Sequence, residues 1–563
     1  MGTNDLRDLG GGTAGGLLAA RAAAAPEHAA IVFQGAEITY RQLDEAASHI
    51  ASALISLGLQ PGDAVSVFMS NRPEFLTTLF GVARAGLRHV PINTAYKGTF
   101  LEFAIDHSDS RAIITETRLA EPLGELGSLP KAVTSVIYVD GLPDRLPDGD
   151  VGIHSLDDLL ARTEVSTELP VVSPGDIAGI GYTSGTTGRS KGALSPALQG
   201  LVHARELAVA MGTTTHHRLY TCLPLFHGAA LAGGCIHAIY AGATFCLSPR
   251  FSASRFWAEI RETGATQFNA LGSIIPMLLA QPPSPQDRDH SVGNVFAAPA
   301  PPDVLYRFEA RFGVHIVEGY GLTEIKNVMY NPREGRKVGS MGRPTASSIV
   351  EVHDETGTQV PPGAVGEIVY RPRMANVMTK GYHRDPEATV AAMSDLWWHT
   401  GDLGTVDHDG FFYFMDRKKD AMRRRGENIS SQEVEALLAQ FPGIVEAAAV
   451  GVSSDLGESE VMAVCEVADA SSFDFEASSG IATRRCRTSW CPATIGSRRT
   501  CPARRPARSA RLRCAKRASA SRHGMPMRRA CAPPATSELR LACGGPSRRP
   551  STCRRRVDRR THP

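Results

Sequence analysis

The chain has 563 residues, 42% of them hydrophobic, with 60 Lys and Arg against 58 Asp and Glu, enough for several domains and a large core. No run of about 18 apolar residues occurs, which excludes a helical membrane span. Residues 1–16 are Gly-rich and lack the basic-then-apolar pattern of a secretory signal, so a cytoplasmic protein is the expectation.

In chain order, residues 17–26 read as a helix stopped by Pro26, and residues 30–33 and 37–39 as a hairpin about Gly35. Residues 40–57 repeat apolar positions at helical spacing and end at Gly58. Short apolar strands at 64–69, 89–91, 112–114, 135–139 and 178–182 alternate with helices such as 73–85. That rhythm predicts an α/β architecture with largely parallel sheets. Around 349–352 and 364–370 short strands and Gly/Pro turns predict a β-rich subdomain. The near-neutral total hides a split: residues 478–563 carry 23 basic and two acidic residues (Glu538, Asp558), seven of the 11 cysteines, and no Phe or Tyr. The other cysteines (Cys222, Cys235, Cys246, Cys465) lack metal-ligand spacing and read as small buried hydrophobes.

The sharpest local signal is YTSGTTGRSKG at 182–192, directly after an apolar strand. Gly185 and Gly188 let successive backbone N–H groups converge on an anion, the hydroxyls of Thr183, Ser184, Thr186 and Thr187 add donors, and Lys191 adds a mobile positive charge. The spacing is not that of a Walker A loop. Further along come LPLFH (223–227), GYGLTE (319–324), TGDLG (400–404) and DRKKDAMRRRGENIS (416–430).

These five strings, in this order, resemble the adenylate-forming superfamily of acyl-CoA synthetases, peptide-synthetase adenylation domains and firefly luciferases, over residues 17–477. The usual pattern has Pro where Ser190 stands. The resemblance implies ATP-dependent activation of a carboxylic acid, with Mg²⁺, through an acyl-adenylate. Joining two anions and releasing pyrophosphate calls for cations and oriented N–H donors more than for acid/base groups. By resemblance, 183–191 hold the β/γ-phosphates and Tyr320 stacks on adenine beside the backbone of Ala298. Thr323 would contact the α-phosphate, Glu324 would ligate Mg²⁺, Asp402 would accept the ribose hydroxyls, and Arg417 would lie beside the ribose. His227 would line the acyl pocket and shift between half-reactions, and Lys191, His227, Thr323 and Glu324 form the expected catalytic set.

FSASRFW (251–257), FNALG (268–272) and the DRKKD…RRRGENIS form resemble the crotonobetaine/carnitine–CoA ligase branch. Peptide-synthetase domains commonly place an Asp where Asn269 stands, to pair with an α-ammonium. Asn carries no charge, which disfavours a free amino acid. Asn269 and Gly272, with Phe268, Ala270, Leu271, Ile274, Ile275 and Met277, suggest a mostly apolar pocket for a small or medium acid. By the same resemblance Arg424 and Gly426 lie beside the nucleotide part of CoA, the preferred acceptor, and Lys419 is the hinge on which the small domain turns. Other readings are loading of a separate acyl-carrier protein, a catalytically dead relative, and non-specific nucleic-acid binding by the basic tail, which has Trp490 alone as an aromatic.

The domains expected are 1–415 (AMP-binding), 416–477 (a partial α+β C-terminal domain with its hinge at 416–419) and 478–563 (a disordered Arg/Cys/Pro-rich tail). The tail reads as an out-of-frame translation. Trp490 has the single codon TGG and Cys491 begins TG, so one alternative frame must encode Val at that junction. With synonymous choices elsewhere, 481–494 can be read as RDATMPYFMVPRY and 500–511 as LPRTPTGKVRK. The second string contains the family's C-terminal P-x-x-x-x-G-K-type lysine, straddling Ala507 and Arg508. Without that segment the strands at 445–450 and 461–467 are expected to lose packing partners, and adenylation is expected to be impaired.

Overall fold

The segment AVSVF, Ala64–Phe68, is buried at all five positions, the signature of a strand covered on both faces. It is the central strand of a seven-stranded sheet in the order Gly152–Ser155, Ser135–Tyr138, Ser110–Thr115, Ala64–Phe68, Arg88–Pro91, Ile177–Tyr182, Gly192–Pro196. Neighbours are parallel except the last pair, which forms an antiparallel hairpin. The computed structural model describes residues 6–144, 150–183, 190–271, 274–298, 302–418, 422–424, 427–429, 431–439, 441–453, 459–468, 494–498 and 539–540. They fall into two compact units, Met1–Met415 and Asp416–Pro563.

A second, nine-stranded sheet of the first unit runs Arg343–Pro344, Lys326–Tyr330, His315–Leu322, Asn294–Ala298, Gln267–Leu271, Arg218–Thr221, Thr244–Leu247, Ala29–Phe33, Ala36–Thr39. It is parallel in the middle and antiparallel at both ends. One apolar cluster draws Val65, Val67 and Ile114 from the first sheet and Ile31, Phe245 and Val295 from the second. Leu43, Ile50 and Leu54 of helix Tyr40–Ser56 and Phe75, Leu76 and Phe80 of Pro73–Arg84 join it. The helix at Tyr40–Ser56 starts where a reciprocal Thr39–Gln42 capping box satisfies its first N–H groups. The first helix begins three residues before the expected 17, at Ala14–Ala24, because the Thr13 hydroxyl caps it by accepting from Gly16 N.

The β-rich subdomain is an antiparallel sheet of Ser348–His353, Gly366–Pro372, Trp397–Val406 and Met393–Ser394, with Phe412–Arg417 also paired to Trp397–Val406. Its core joins Val350, Val352, Ile368, Tyr370 and Trp398 to Tyr320 and Met329 from the edge of the nine-stranded sheet. Cys222, Cys235, Cys246 and Cys465 are free and buried, and burial pushes the Cys246 and Cys465 thiols up to about 11. They are packing residues.

In the second unit Ile444–Ser453 and Ser459–Val467 form a long antiparallel hairpin. One face of the hairpin is covered from within the unit. Val434 and Leu438 of helix Ser431–Ala439 pack with Ala447, Ala449, Val461, Ala463, Cys465 and Val467. Asp416 holds that helix's start, accepting from Ser431 N at 2.6 Å and from Ser431 Oγ at 3.2 Å, which places a carboxylate at the positive end of the helix. Within 478–563 the described residues are two strands: Thr494–Arg498, parallel to Ser459–Val467, and Leu539–Arg540, antiparallel to Thr494–Arg498. An open strand edge recruits backbone partners whatever their side chains. The remainder of the tail, where the frame-shifted motifs fall, lies outside the described residues.

Candidate active site

In sheets with parallel strands, ligand sites form beyond the carboxyl ends of the strands. The expected site residues follow four successive neighbours of the nine-stranded sheet. LPLFH follows Arg218–Thr221, and Asn269 lies within Gln267–Leu271 with Gly272 just after it. Ala298 ends Asn294–Ala298, and Tyr320, Thr323 and Glu324 lie in or after His315–Leu322.

GYGLTE sits where its strand leaves the parallel sheet. His315–Leu322 pairs parallel with Asn294–Ala298 through Glu318, then antiparallel with Lys326–Tyr330, with an irregularity between Tyr320 and Gly321. A Cβ on Gly321 would come within 2.0 Å of the Lys326 carbonyl oxygen, so this tight return accepts only glycine. Lys326 itself adopts φ +58°, and its Nζ donates to the Thr323 carbonyl at 3.0 Å. Burial pushes its ammonium down to about 8 against an opposing pull from Glu324. Thr323 also touches the strand before the phosphate loop, since a Cβ on Gly181 would lie 2.9 Å from Thr323 Cγ2.

Glu324 is 8% exposed. Its main-chain oxygen accepts from Gln199 Nε2 (2.7 Å) and Thr379 N (2.8 Å), and its Oε1 accepts from the Tyr382 hydroxyl at 2.7 Å. Lys191 Nζ lies over the Tyr382 ring, 4.8 Å from its centroid, a cation–π contact. The phosphate-loop hairpin is closed at its base by Thr183 N donating to Lys191 O at 2.9 Å and by pairing of Tyr182 with Gly192. Ser184, Gly185, Thr186, Thr187 and Gly188 lie outside the described residues. Tyr320 Oη donates to Asp402 Oδ2 at 2.6 Å, and both residues are buried. An irregular register between Gly366–Pro372 and Trp397–Val406 and a left-handed Gly401 (φ +71°) re-aim the strand next to Asp402.

His227, expected in the acyl pocket, begins a short helix, Gly228–Ala230, that runs into a π-helical turn, Leu231–Ile236. Wide turns of this kind frequently mark functional sites. The buried Gly233 and Gly234 let this turn lie close to its neighbours: a Cβ on Gly234 would meet Phe245 at 3.0 Å and Asn269 Nδ2 at 3.6 Å. Asn269 is 6% exposed and donates Nδ2 to the Ala229 carbonyl at 2.6 Å, while its Oδ1 has no partner among the described residues. Desolvation holds the His227 imidazole below its ordinary pKa.

One residue of the expected pocket stretch, Phe268, packs in the core. Side chains alternate along a strand, so Phe268 faces away from Asn269 and packs on Phe256 at 5.0 Å. Trp257 stacks on His290 and Phe312, each at 4.5 Å. The FSASRFW and FNALG strings are therefore partly core-packing signals. In the second unit, Arg417 ends Phe412–Arg417 and its N–H donates to Asp416 Oδ1 at 2.7 Å. The backbone of Arg424 lies opposite that of Glu427 in a two-stranded hairpin. Lys419 and Gly426 lie outside the described residues, as does Gly272. Sequence reasoning missed Gln199, Thr379, Lys326 and Tyr382; the GY at 381–382 resembles no phosphate motif, and only its contacts bring it to the site.

Residues 18–383 match the family model for AMP-binding enzymes, and the chain belongs to that family. Among curated relatives, the crotonobetaine/carnitine–CoA ligase of Salmonella heidelberg (strain SL476) is 31% identical over 448 residues, covering 77% of this chain and 85% of the relative. Among solved structures, an anthranilate CoA ligase in complex with anthranoyl-AMP aligns with TM-score 0.79 at 23% identity, over 90% of this chain and 98% of its own. The O-succinylbenzoate CoA synthetase of Bacillus subtilis with ATP and magnesium aligns with TM-score 0.76 at 24% identity, over 88% and 99%. No helix among the described residues is long and apolar enough to cross a membrane.

Proposed function

We propose that the protein joins a carboxylic acid to coenzyme A at the expense of ATP, releasing AMP and pyrophosphate, through an acyl-adenylate. The observation that carries this reading is the meeting of Lys191, Tyr382 and Glu324 at one edge of the first unit, within an AMP-binding family chain whose relatives include CoA ligases.

In this reading Lys191 and the N–H groups of 183–191 hold the β/γ-phosphates, and Thr323 contacts the α-phosphate as charge develops there. Tyr320 stacks on adenine beside the Ala298 backbone, and Asp402 accepts from the ribose. Its Oδ2 takes the Tyr320 hydroxyl, which orients the carboxylate. Magnesium fits Glu324 as a single buried carboxylate. Among the described residues no group of three His, Cys, Asp or Glu side chains could hold a metal, so phosphate oxygens and water complete the shell, the usual arrangement for this ion. It would supply charge neutralisation at the phosphates. Arg417, Arg424 and Gly426 serve the ribose and CoA, and Lys419 the hinge.

The acid is small or medium in size, held between His227 and Asn269. Codon arithmetic supports a chain whose segment beyond 477 is out of frame and whose adenylation is weakened by loss of the family's C-terminal lysine. A screen of carboxylic acids with ATP, scored for AMP and thioester, tests the activity; absence of acid-dependent AMP from the frame-restored protein would overturn it. Competition between CoA and a purified acyl-carrier protein for a preformed acyl-adenylate decides the acceptor.

A further inference from the structure

The segment around Tyr382 is laced to the edge strand Gly192–Pro196. Leu194 N donates to Gly381 O (2.9 Å), Lys380 N to Leu194 O (2.8 Å) and His383 N to Gly192 O (2.8 Å). The Tyr382 N–H is taken by Thr389 Oγ1 at 2.8 Å, and Gly381 holds φ +111° where a Cβ would strike the Thr389 side chain. Asp109 fastens the outside of the turn through His383 Nε2 (3.1 Å) and Arg384 (2.9 Å). Trp398 packs against the Tyr382 ring, 5.7 Å between centroids. Backbone and ring are thus both set before any ligand arrives.

We propose that Tyr382 is a positioning residue for the nucleotide step: its hydroxyl orients the Glu324 carboxylate toward a phosphate-bound cation, and its ring seats the Lys191 ammonium. This rests on the nucleotide-pocket reading above. A hydroxyl donating to Oε1 restrains rotation of the carboxylate and gives the second oxygen a defined direction. The electron-rich ring face under Nζ attracts the ammonium without neutralising it, so the lysine is placed while its charge stays available to phosphate. Phosphate-loop lysine and acidic side chain, 133 positions apart in sequence, are coupled through one aromatic residue.

The test is calorimetric binding of ATP to the full chain, with excess Mg²⁺ and with EDTA. Tyr382→Phe keeps the ring and loses the hydroxyl; it is expected to weaken MgATP binding about 10-fold, the scale of a lost hydrogen bond to a charged group, and to leave metal-free ATP within about twofold. Tyr382→Leu removes both and should weaken binding under both conditions; combined with Lys191→Met it should add nothing to the metal-free loss of Lys191→Met alone. Should Tyr382→Leu fail to fold, Tyr382→Phe, which keeps the packing on Trp398, carries the test. MgATP binding by Tyr382→Phe equal to the native chain, while Glu324→Ala loses its magnesium-dependent gain, would overturn the proposal alone. A full magnesium-dependent gain in Glu324→Ala would overturn the pocket reading and this proposal together.

Discussion

The surroundings of Glu324 and those of Asn269, which we propose as the nucleotide side and the acid side of the site, are built on opposite principles. Around Glu324 the groups are charged or polar and cross-linked: Gln199, Thr379, Tyr382 and Lys326 each bind a neighbour by hydrogen bonds near 3 Å or shorter. Around Asn269 the surface is made by what is missing: two glycines in a π-helical turn, and a carboxamide oxygen without a partner among the described residues. Phosphates are the same in every reaction of this family and reward a rigid preorganised array. The acid differs between relatives, and space is the cheapest means of discrimination. An unpartnered buried oxygen costs about 1–3 kcal/mol.

If that contrast holds, damage to the polar side should be the more severe. Glu324→Ala is expected to lower ATP-dependent turnover about 10²–10³-fold, the typical loss for one preorganised stabilising group. Circular dichroism should be unchanged, and native turnover in that variant would break the assignment. A similar gain, of about 10²-fold or more, is expected in pyrophosphate exchange when the reading frame beyond 477 is restored; equal rates in the two proteins would end the frame argument.

On the acid side the expected losses are smaller and depend on pH. Asn269→Asp would set a carboxyl group against the Ala229 carbonyl that now accepts from Nδ2. Burial raises the pKa of such a group. At low pH the neutral acid can donate to that carbonyl; as pH rises it ionises and is repelled. The variant's kcat/KM for the acid should therefore fall relative to the native enzyme as pH rises through the raised pKa of that carboxyl, by about 10-fold for each pH unit above it. No broad use of amino acids should appear. A flat pH profile, or efficient amino-acid activation, would contradict the reading of this wall.

The last effect is on stability and not on turnover. Glu318, immediately before GYGLTE, is buried, and desolvation raises its carboxyl to about 7, although Asn331 and Arg336 pull it down. A carboxyl with a raised folded pKa is stabilising to fold only while protonated. The resulting penalty sets in above its unfolded pKa of 4.5, grows to about pH 7, and is constant beyond. Glu318→Gln should therefore melt close to the native protein at pH 4.5 and higher at pH 8, where it is more stable by about 3 kcal/mol. A Tm difference that does not change with pH would refute the raised pKa.

How much was legible varies residue by residue. The strand at Ile177–Tyr182 could be read from an apolar run followed by a Gly/Ser/Thr string, whereas its antiparallel pairing with Gly192–Pro196 could not. Phe268 and Trp257 were harder. In the sequence a large apolar residue next to Asn269 looks like pocket wall, and only the alternation of the strand, together with helix Phe256–Thr263, turns it into core. The pairing of Thr494–Arg498 with Ser459–Val467 had no signal in side-chain chemistry, because it is made by backbone groups.

By itself the sequence determined the α/β alternation, the order of the ligand-binding strings, the change of composition beyond 477 and the neutrality of position 269. Each is a local property: periodicity, glycine spacing and charge are written in neighbouring residues. Only the tertiary structure decided that Tyr382 reaches Glu324, 58 positions away, that Gln199 supports the same residue from helix Ala197–Met211, and which way the Asn269 amide points. Those outcomes depend on which strands become neighbours and which carbonyl an N–H meets. Long-range pairing sets both, and no local pattern encodes it.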